Sequence, residues 1–353
     1  MTYEVPALNL AICWKHFLTI IVESQSAGNL LDYTLLEILR EYTPEIICCN
    51  CVLISNKITH FNHLTIDYKF KSYLTGLIEG DGCIHVPITE RSLKGKLNYP
   101  SIHIAFHLKD LPLALLVQKN LGFGSIVRQK GVNAYYLIIN DNKGIISMVN
   151  LLNGNMRTPK IYNLYKLINW LNLALSDKNN DLNLIKLPLC TRPLNADAWL
   201  SGFIEADGHF SVRTTFTGKY PKIECKFELV QSQKDPLGQD KYSILSTCGE
   251  ISEYLKTPLK TFKQNTSNPQ YRLRTSNLES NFILTDYLNK YPLFGSKFLD
   301  FNSWKEILDL FRTGFKLSHV ENIDKVVKLK SEMNNNRTIF NWDHLNKFYT
   351  LNY

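Results

Sequence analysis

Two stretches of the chain carry the same order of apolar and polar positions. LTGLIEGDG, residues 74–82, returns 126 residues later as LSGFIEADG, residues 200–208, with six of nine positions identical. Gly76 and Gly80 are four apart, as are Gly202 and Ala206, so each pair lines up on one face of a predicted helix. The closing glycine of each segment reads as a helix C-cap. Period-2 alternation follows, which predicts strands with one apolar face. In the first half Ile84, Val86 and Ile88 alternate with polar neighbours, then Ile102, Ile104 and Phe106 do so. In the second half the alternating sets are Phe210, Val212 and Phe216, then Ile223, Cys225, Phe227 and Leu229. Later in each half a lysine precedes apolar residues at +4, +7 and +11: Leu164, Leu167 and Leu171 after Lys160, and Phe301, Trp304 and Leu308 after Lys297. That spacing is helical.

A duplicated α+β unit is the predicted fold: two pseudo-symmetric halves, each an antiparallel sheet with helices packed on one face. The predicted division is an N-terminal extension over 1–65, a first repeat over 66–184, a linker over 185–197 with two prolines, and a second repeat over 198–353. Within the extension, residues 30–42 have helical spacing.

The 353 residues, 44% hydrophobic and 20% charged, fit a soluble globular protein. Forty Lys and Arg against 32 Asp and Glu leave a formal charge of +8, which suits a polyanionic partner if the charge is clustered. Eight cysteines are scattered apart from Cys48, Cys49 and Cys51, with no spacing for structural zinc. They point to a reduced compartment. The apolar run at 17–22 is too short to span a bilayer, and no transit peptide is evident. The 18 Tyr and 18 Phe, with much Asn, Ile and Lys, suggest an AT-rich coding genome such as an organelle's.

Glycine within a helix costs roughly 0.5–1 kcal/mol relative to alanine, so Gly76, Gly80 and Gly202 in such short helices imply that closeness matters. The economical expectation is that the two segments pack on each other through Gly76, Gly80, Gly202 and Ala206, about a pseudo-twofold axis. Their acidic ends then meet. Paired carboxylates at helix C-termini repel, and a divalent cation with a preference for hard oxygen ligands reverses that. Spacing alone leaves Glu79 and Asp81, or Glu205 and Asp207, equally open as ligands.

LTGLIEGDG and LSGFIEADG resemble the doubled motif of single-chain LAGLIDADG homing endonucleases of the kind encoded in fungal mitochondrial introns. The resemblance spans about residues 68–350. It implies that the acid before the final glycine is catalytic and binds metal, giving Asp81 and Asp207. The carbonyls of Gly80 and Ala206 complete the metal shell, around Mg²⁺ with Mn²⁺ as the alternative. It also implies that Glu79 and Glu205 are structural, that Lys160 and Lys297 lie near the scissile phosphates, and that Gln231 positions water. The first half offers only Phe106 or His107 for that last role.

The implied activity is double-strand cleavage of DNA at a long target site by a monomer in the mitochondrion, with no membrane partner. Polar strand positions then face the major groove: His85, Thr89, Arg91 and His103 from one half, and Arg213, Thr215, Lys222, Lys226, Arg272 and Arg274 from the other. Glu224 and Glu228 interrupt that stripe. The competing expectation is a maturase that binds intron RNA and assists splicing, with or without cleavage. The presence of both Asp81 and Asp207 favours cleavage.

Overall fold

Phe70, Tyr73, Leu74, Leu77 and Ile78 in one helix, and Trp199, Leu200, Phe203 and Ile204 in another, are all buried. Helices apolar on every side belong at the centre of a molecule, and these two form its axis. The computed structural model describes residues 47–48, 68–176, 183–216, 222–233, 243–312 and 320–349. The helix expected over 30–42, and all but residues 47–48 of the N-terminal extension, lie outside the described residues.

The central helices are α1 (Tyr68–Asp81) and, in the second half, α5 (Trp199–Asp207). From α1 the chain runs through β2 (Gly82–His85), β3 (Ser101–His107), α2 (Leu111–Leu121), β4 (Ser125–Arg128), β5 (Ala134–Ile139), α3 (Asn142–Leu152) and α4 (Ile161–Ser176). A two-residue strand β1 (Ile47–Cys48) pairs with β4 at the sheet edge. From α5 the second half runs through β6 (Gly208–Thr215), β7 (Lys222–Ser232), α6 (Ile244–Tyr254), β8 (Leu259–Phe262), β9 (Gln270–Thr275), α7 (Leu278–Lys290), α8 (Lys297–Arg312) and α9 (Val320–Ser331).

The sheets are antiparallel, ordered β1-β4-β5-β3-β2 and β6-β7-β9-β8. Leaving out β1, the second order reversed repeats the first, and this is the α+β duplication expected from the sequence. In β3 the residues Ile102, Ile104 and Phe106 are buried, and in β7 so are Ile223, Cys225, Phe227 and Leu229. Leu164, Leu167 and Leu171 on α4 and Phe301, Trp304 and Leu308 on α8 face the same core. No helix among the described residues is long and apolar enough to cross a membrane.

One local expectation holds in a different geometry, and another is corrected. Gly208 caps its helix, its N–H donating to Ile204 O, but in extended geometry (φ −73°, ψ 149°), and each helix passes directly into a strand. Glycine is needed there for space, because a Cβ would stand 2.6 Å from Ile78 O at Gly82 and 2.8 Å from Ile204 O at Gly208. The first strand also stops at His85, and Ile88 is fully exposed. Thr89 and Arg91 therefore belong to the β2–β3 connection rather than to a strand. Arg91 donates to Gly95 O (2.8 Å), and Asn98 donates to Thr89 O (3.0 Å).

Candidate active site

Small residues let the backbones of α1 and α5 touch. A Cβ on Gly76 would overlap Trp199 O, and one on Gly202 would overlap Tyr73 O. At the C-terminal ends a Cβ on Gly80 would overlap the Ala206 methyl and lie 3.1 Å from Asp207 Oδ2. The four positions expected at the helix interface are all in it, and they bring the Asp81 and Asp207 ends of the helices together.

Asp81 opens to solvent, yet the protein crowded around it and then the charge of Asp207 push its carboxyl up to about 6. Asp207 accepts a hydrogen bond from Gln231 Nε2 at 2.9 Å. Strand register shows what the first half has in place of Gln231. Gly208 pairs with Leu229 as Gly82 pairs with Ile104, so Gln231 corresponds to Phe106, which is buried. The adjacent His107 accepts from Lys109 N (3.3 Å) instead.

Each lysine closes the C-terminus of its own half's central helix. Lys160 Nζ donates to Ile78 O (2.9 Å), Gly80 O (3.1 Å) and Gly82 O (2.7 Å). Lys297 Nζ donates to Ile204 O (3.0 Å) and Ala206 O (2.9 Å). Helix-terminal carbonyls are the natural partners of a cation. Burial lowers the pKa of both amines, and the surrounding carboxylates oppose that. The carbonyls of Gly80 and Ala206, expected as metal ligands, thus already accept from lysine, with one lone pair left on each. Among those carboxylates Glu79 acts most strongly on Lys160 and Glu205 on Lys297, and both aspartates follow.

Glu79 and Glu205 hold this arrangement from below. Glu79 accepts from Arg157 N (2.9 Å), Thr158 N (2.6 Å), Thr158 Oγ1 (2.6 Å) and, from the other half, Trp199 Nε1 (2.5 Å). Glu205 accepts from Phe294 N (2.6 Å), Gly295 N (3.0 Å) and Tyr73 OH (3.2 Å). Each buried carboxylate ties the partner helix to the turn that carries its own half's lysine. Burial raises both pKa values, and these hydrogen bonds oppose the shift.

The sheet positions fall into two groups. His85 and His103 lie on neighbouring strands β2 and β3, and burial lowers the pKa of His103. Arg213 and Thr215 are exposed on β6, paired with Glu224 and Lys222 in register. The other four are bound to acids: Glu224 lies 3.0 Å from Lys226 and 3.9 Å from Lys222, and Glu228 lies 3.0 Å from Arg274 and 3.6 Å from Arg272. The acids that interrupt the basic stripe thus pair with it and hold its side chains in place. No cluster of three or more His, Cys, Asp or Glu placed to hold a metal occurs among the described residues.

A doubled helix–sheet unit whose two helix ends present paired aspartates belongs to a known class. The profile of the LAGLIDADG endonuclease family matches residues 74–171 and 200–308, and the chain belongs to that family. Endonucleases of this family are metal-dependent nucleases. The intron-encoded DNA endonuclease aI3 of Saccharomyces cerevisiae is 30% identical over 315 residues, covering 82% of this chain and 76% of the yeast protein. The intron-encoded RNA maturase bI4 of the same yeast is 29% identical over 169 residues, covering 46% of this chain and 23% of the maturase. Among solved structures, the I-LtrWI LAGLIDADG homing endonuclease bound to target DNA aligns with a TM-score of 0.59 at 18% identity, over 77% of this chain and 100% of that one. I-SmaMI bound to cleaved DNA gives 0.58 at 18% identity, over 76% and 98%. At that identity the likeness shows a shared fold.

Proposed function

We propose that the protein is a monomeric, site-specific DNA endonuclease of the intron-homing kind, encoded and acting in the mitochondrion, and that it hydrolyses both strands with Mg²⁺, or Mn²⁺ in its place. The observation that carries this reading is the meeting of two helix C-termini, where Gly80 and Ala206 leave Asp207 beside the Asp81 end. Like charge and crowding raise the Asp81 pKa, as expected of a site built for a cation. Oxygen donors alone at that point fit a hard divalent ion.

In this reading Asp81 and Asp207 hold the metal, with the free lone pairs of Gly80 O and Ala206 O beside them. Bound there, the ion supplies positive charge that polarises the phosphodiester and acidifies water. Gln231, anchored on Asp207, orients the attacking water on one side, and Phe106 leaves the other side to bulk solvent. Lys160 and Lys297, shared with helix carbonyls in the ground state, turn toward the charge that develops on the phosphate. His85, His103, Arg213, Thr215, Lys222, Lys226, Arg272 and Arg274 face the major groove, and Thr89 and Arg91 reach it from the β2–β3 connection. The proposed repeats are 66–184 and 198–353, joined by 185–197.

The second reading, an intron RNA maturase, draws on the likeness to bI4 over 46% of the chain. The longer match to a protein named a DNA endonuclease and the paired aspartates favour cleavage. The test is a plasmid carrying the uninterrupted host-gene junction. The proposal expects linear product with Mg²⁺ and intact plasmid in excess chelator. Tight, splicing-competent binding to intron RNA with no cut in the plasmid would favour the maturase.

A further inference from the structure

Beside the aspartate pair a cavity of about 370 Å³ opens between Asp81, the end of β3 and the start of α8, with Phe106, Asp110 and Lys297 in its wall. Asp110 stands at the N-cap of α2, where an aspartate ordinarily accepts from its own helix, yet its side chain makes no capping hydrogen bond. Its Oδ1 instead accepts from Ser296 N at 2.6 Å, 186 residues further along the chain. Ser296 directly precedes Lys297. Phe294 N and Gly295 N end on Glu205, so three successive amides of this turn are held by two carboxylates, one from each half.

The first half's turn is built differently. Glu79 takes Arg157 N, Thr158 N and the Thr158 hydroxyl. The Thr158 hydroxyl also accepts from Lys160 N at 3.3 Å. The second half reaches that turn's backbone with a neutral group, as Thr247 Oγ1 donates to Arg157 O at 2.8 Å, while Glu250 lies 3.8 Å from the Arg157 guanidinium. One lysine turn is therefore held at a backbone amide by a carboxylate of the opposite half, whereas at the other turn the opposite half's carboxylate, Glu250, reaches only the Arg157 side chain. A charged acceptor makes the stronger hydrogen bond.

We propose that Asp110 is a positioning residue for Lys297, so that cutting of one DNA strand depends on a carboxylate supplied by the other half of the molecule. Asp110 acts by fixing the turn from which Lys297 extends to Ile204 O and Ala206 O. Anything that shifts α2 against α8 then alters the cutting of one strand and leaves the other intact. The proposal rests on the nuclease reading, with one lysine serving each strand.

The test is strand-resolved, single-turnover cleavage of end-labelled junction duplex by the full chain, comparing Asp110→Ala, Asp110→Asn, Lys297→Ala and Lys160→Ala. Asp110→Ala should slow the strand that Lys297→Ala slows, by about tenfold or more, with the other strand within about twofold and nicked duplex accumulating. Asp110→Asn keeps the acceptor oxygen and should restore the balance. In the metal-free protein, amide hydrogen exchange at Ser296 should quicken severalfold in Asp110→Ala and stay slow in Asp110→Asn. Equal slowing of both strands, slowing of the Lys160 strand, or unchanged exchange at Ser296 would each overturn the proposal. If Lys297→Ala is strand-selective and Asp110→Ala is not, the nuclease reading stands and the proposal alone falls. If Lys297→Ala cuts both strands at the wild-type rate, the reading beneath fails and the proposal goes with it.

Discussion

Asp81 binds its proton more tightly in the folded protein than an exposed aspartate does, since its pKa stands at about 6 against an ordinary 3.8. A raised pKa contributes stability that is fully present below the unfolded value and is lost as pH rises through the folded one. Without metal, then, Asp81 works against folding at pH 7.5 and not at pH 4. Asp81→Asn should raise the melting temperature of the metal-free protein at pH 7.5 and leave it nearly unchanged at pH 4. Adding Mg²⁺ should raise the wild-type value and have less effect on the variant. An Asp81→Asn protein that melted lower at pH 7.5 in chelator would show that repulsion does not govern this position. Opposite signs for stability and activity are expected where a fold maintains a strained site.

Helix α1 meets helix α5 through backbone, and this gives the glycines opposite roles in different elements. Gly76→Ala would place a methyl on Trp199 O, and overpacking of that kind costs about 1–3 kcal/mol. Gly80→Leu should lower the melting temperature in the same way and spread the aspartates apart, so activity should fall further than stability. Gly249, in the middle of α6, has nothing within 4 Å of an added Cβ. Gly249→Ala should therefore stabilise by about 0.5–1 kcal/mol. Thermal melts of the three variants check the pattern; a rise in all three would mean that α1 and α5 do not touch.

The helix pair, the apolar faces of β3 and β7, and the buried stripes of α4 and α8 can be read from periodicity, because local spacing determines them. The β2–β3 connection could not be read that way: Val86 and Ile88 continue the alternation, but no partner strand covers them. The closing glycine of α5 is legible as a cap, but a sequence does not distinguish a glycine needed for φ from one needed for space, as Gly82 and Gly208 are. The choice of Phe106 over His107 as the counterpart of Gln231 emerges only from strand register. Asp110 lay hidden because HLKDLP reads as an ordinary helix start, and its partner Ser296 is 186 residues away. Glu79 and Glu205 were recognisable as structural only through the family's pattern; their bonds to the lysine turns are long-range.

The whole molecule contains both halves of its site, so a single chain should bind one duplex. Sedimentation of the protein on target DNA should give one chain per duplex, and an obligate dimer would contradict the duplicated axis. The paired aspartates are tested by cleavage of the uninterrupted junction duplex at saturating protein, with Asp81→Asn and Asp207→Asn beside the wild type. Binding is measured first in Ca²⁺, whose looser coordination should support the complex without the cut. Both variants should bind within a few-fold of the wild type, because neither change touches the sheet face, and neither should produce double-strand breaks in Mg²⁺. Full cleavage by either variant, at equal occupancy, would show that the meeting point of α1 and α5 is not where the DNA is cut.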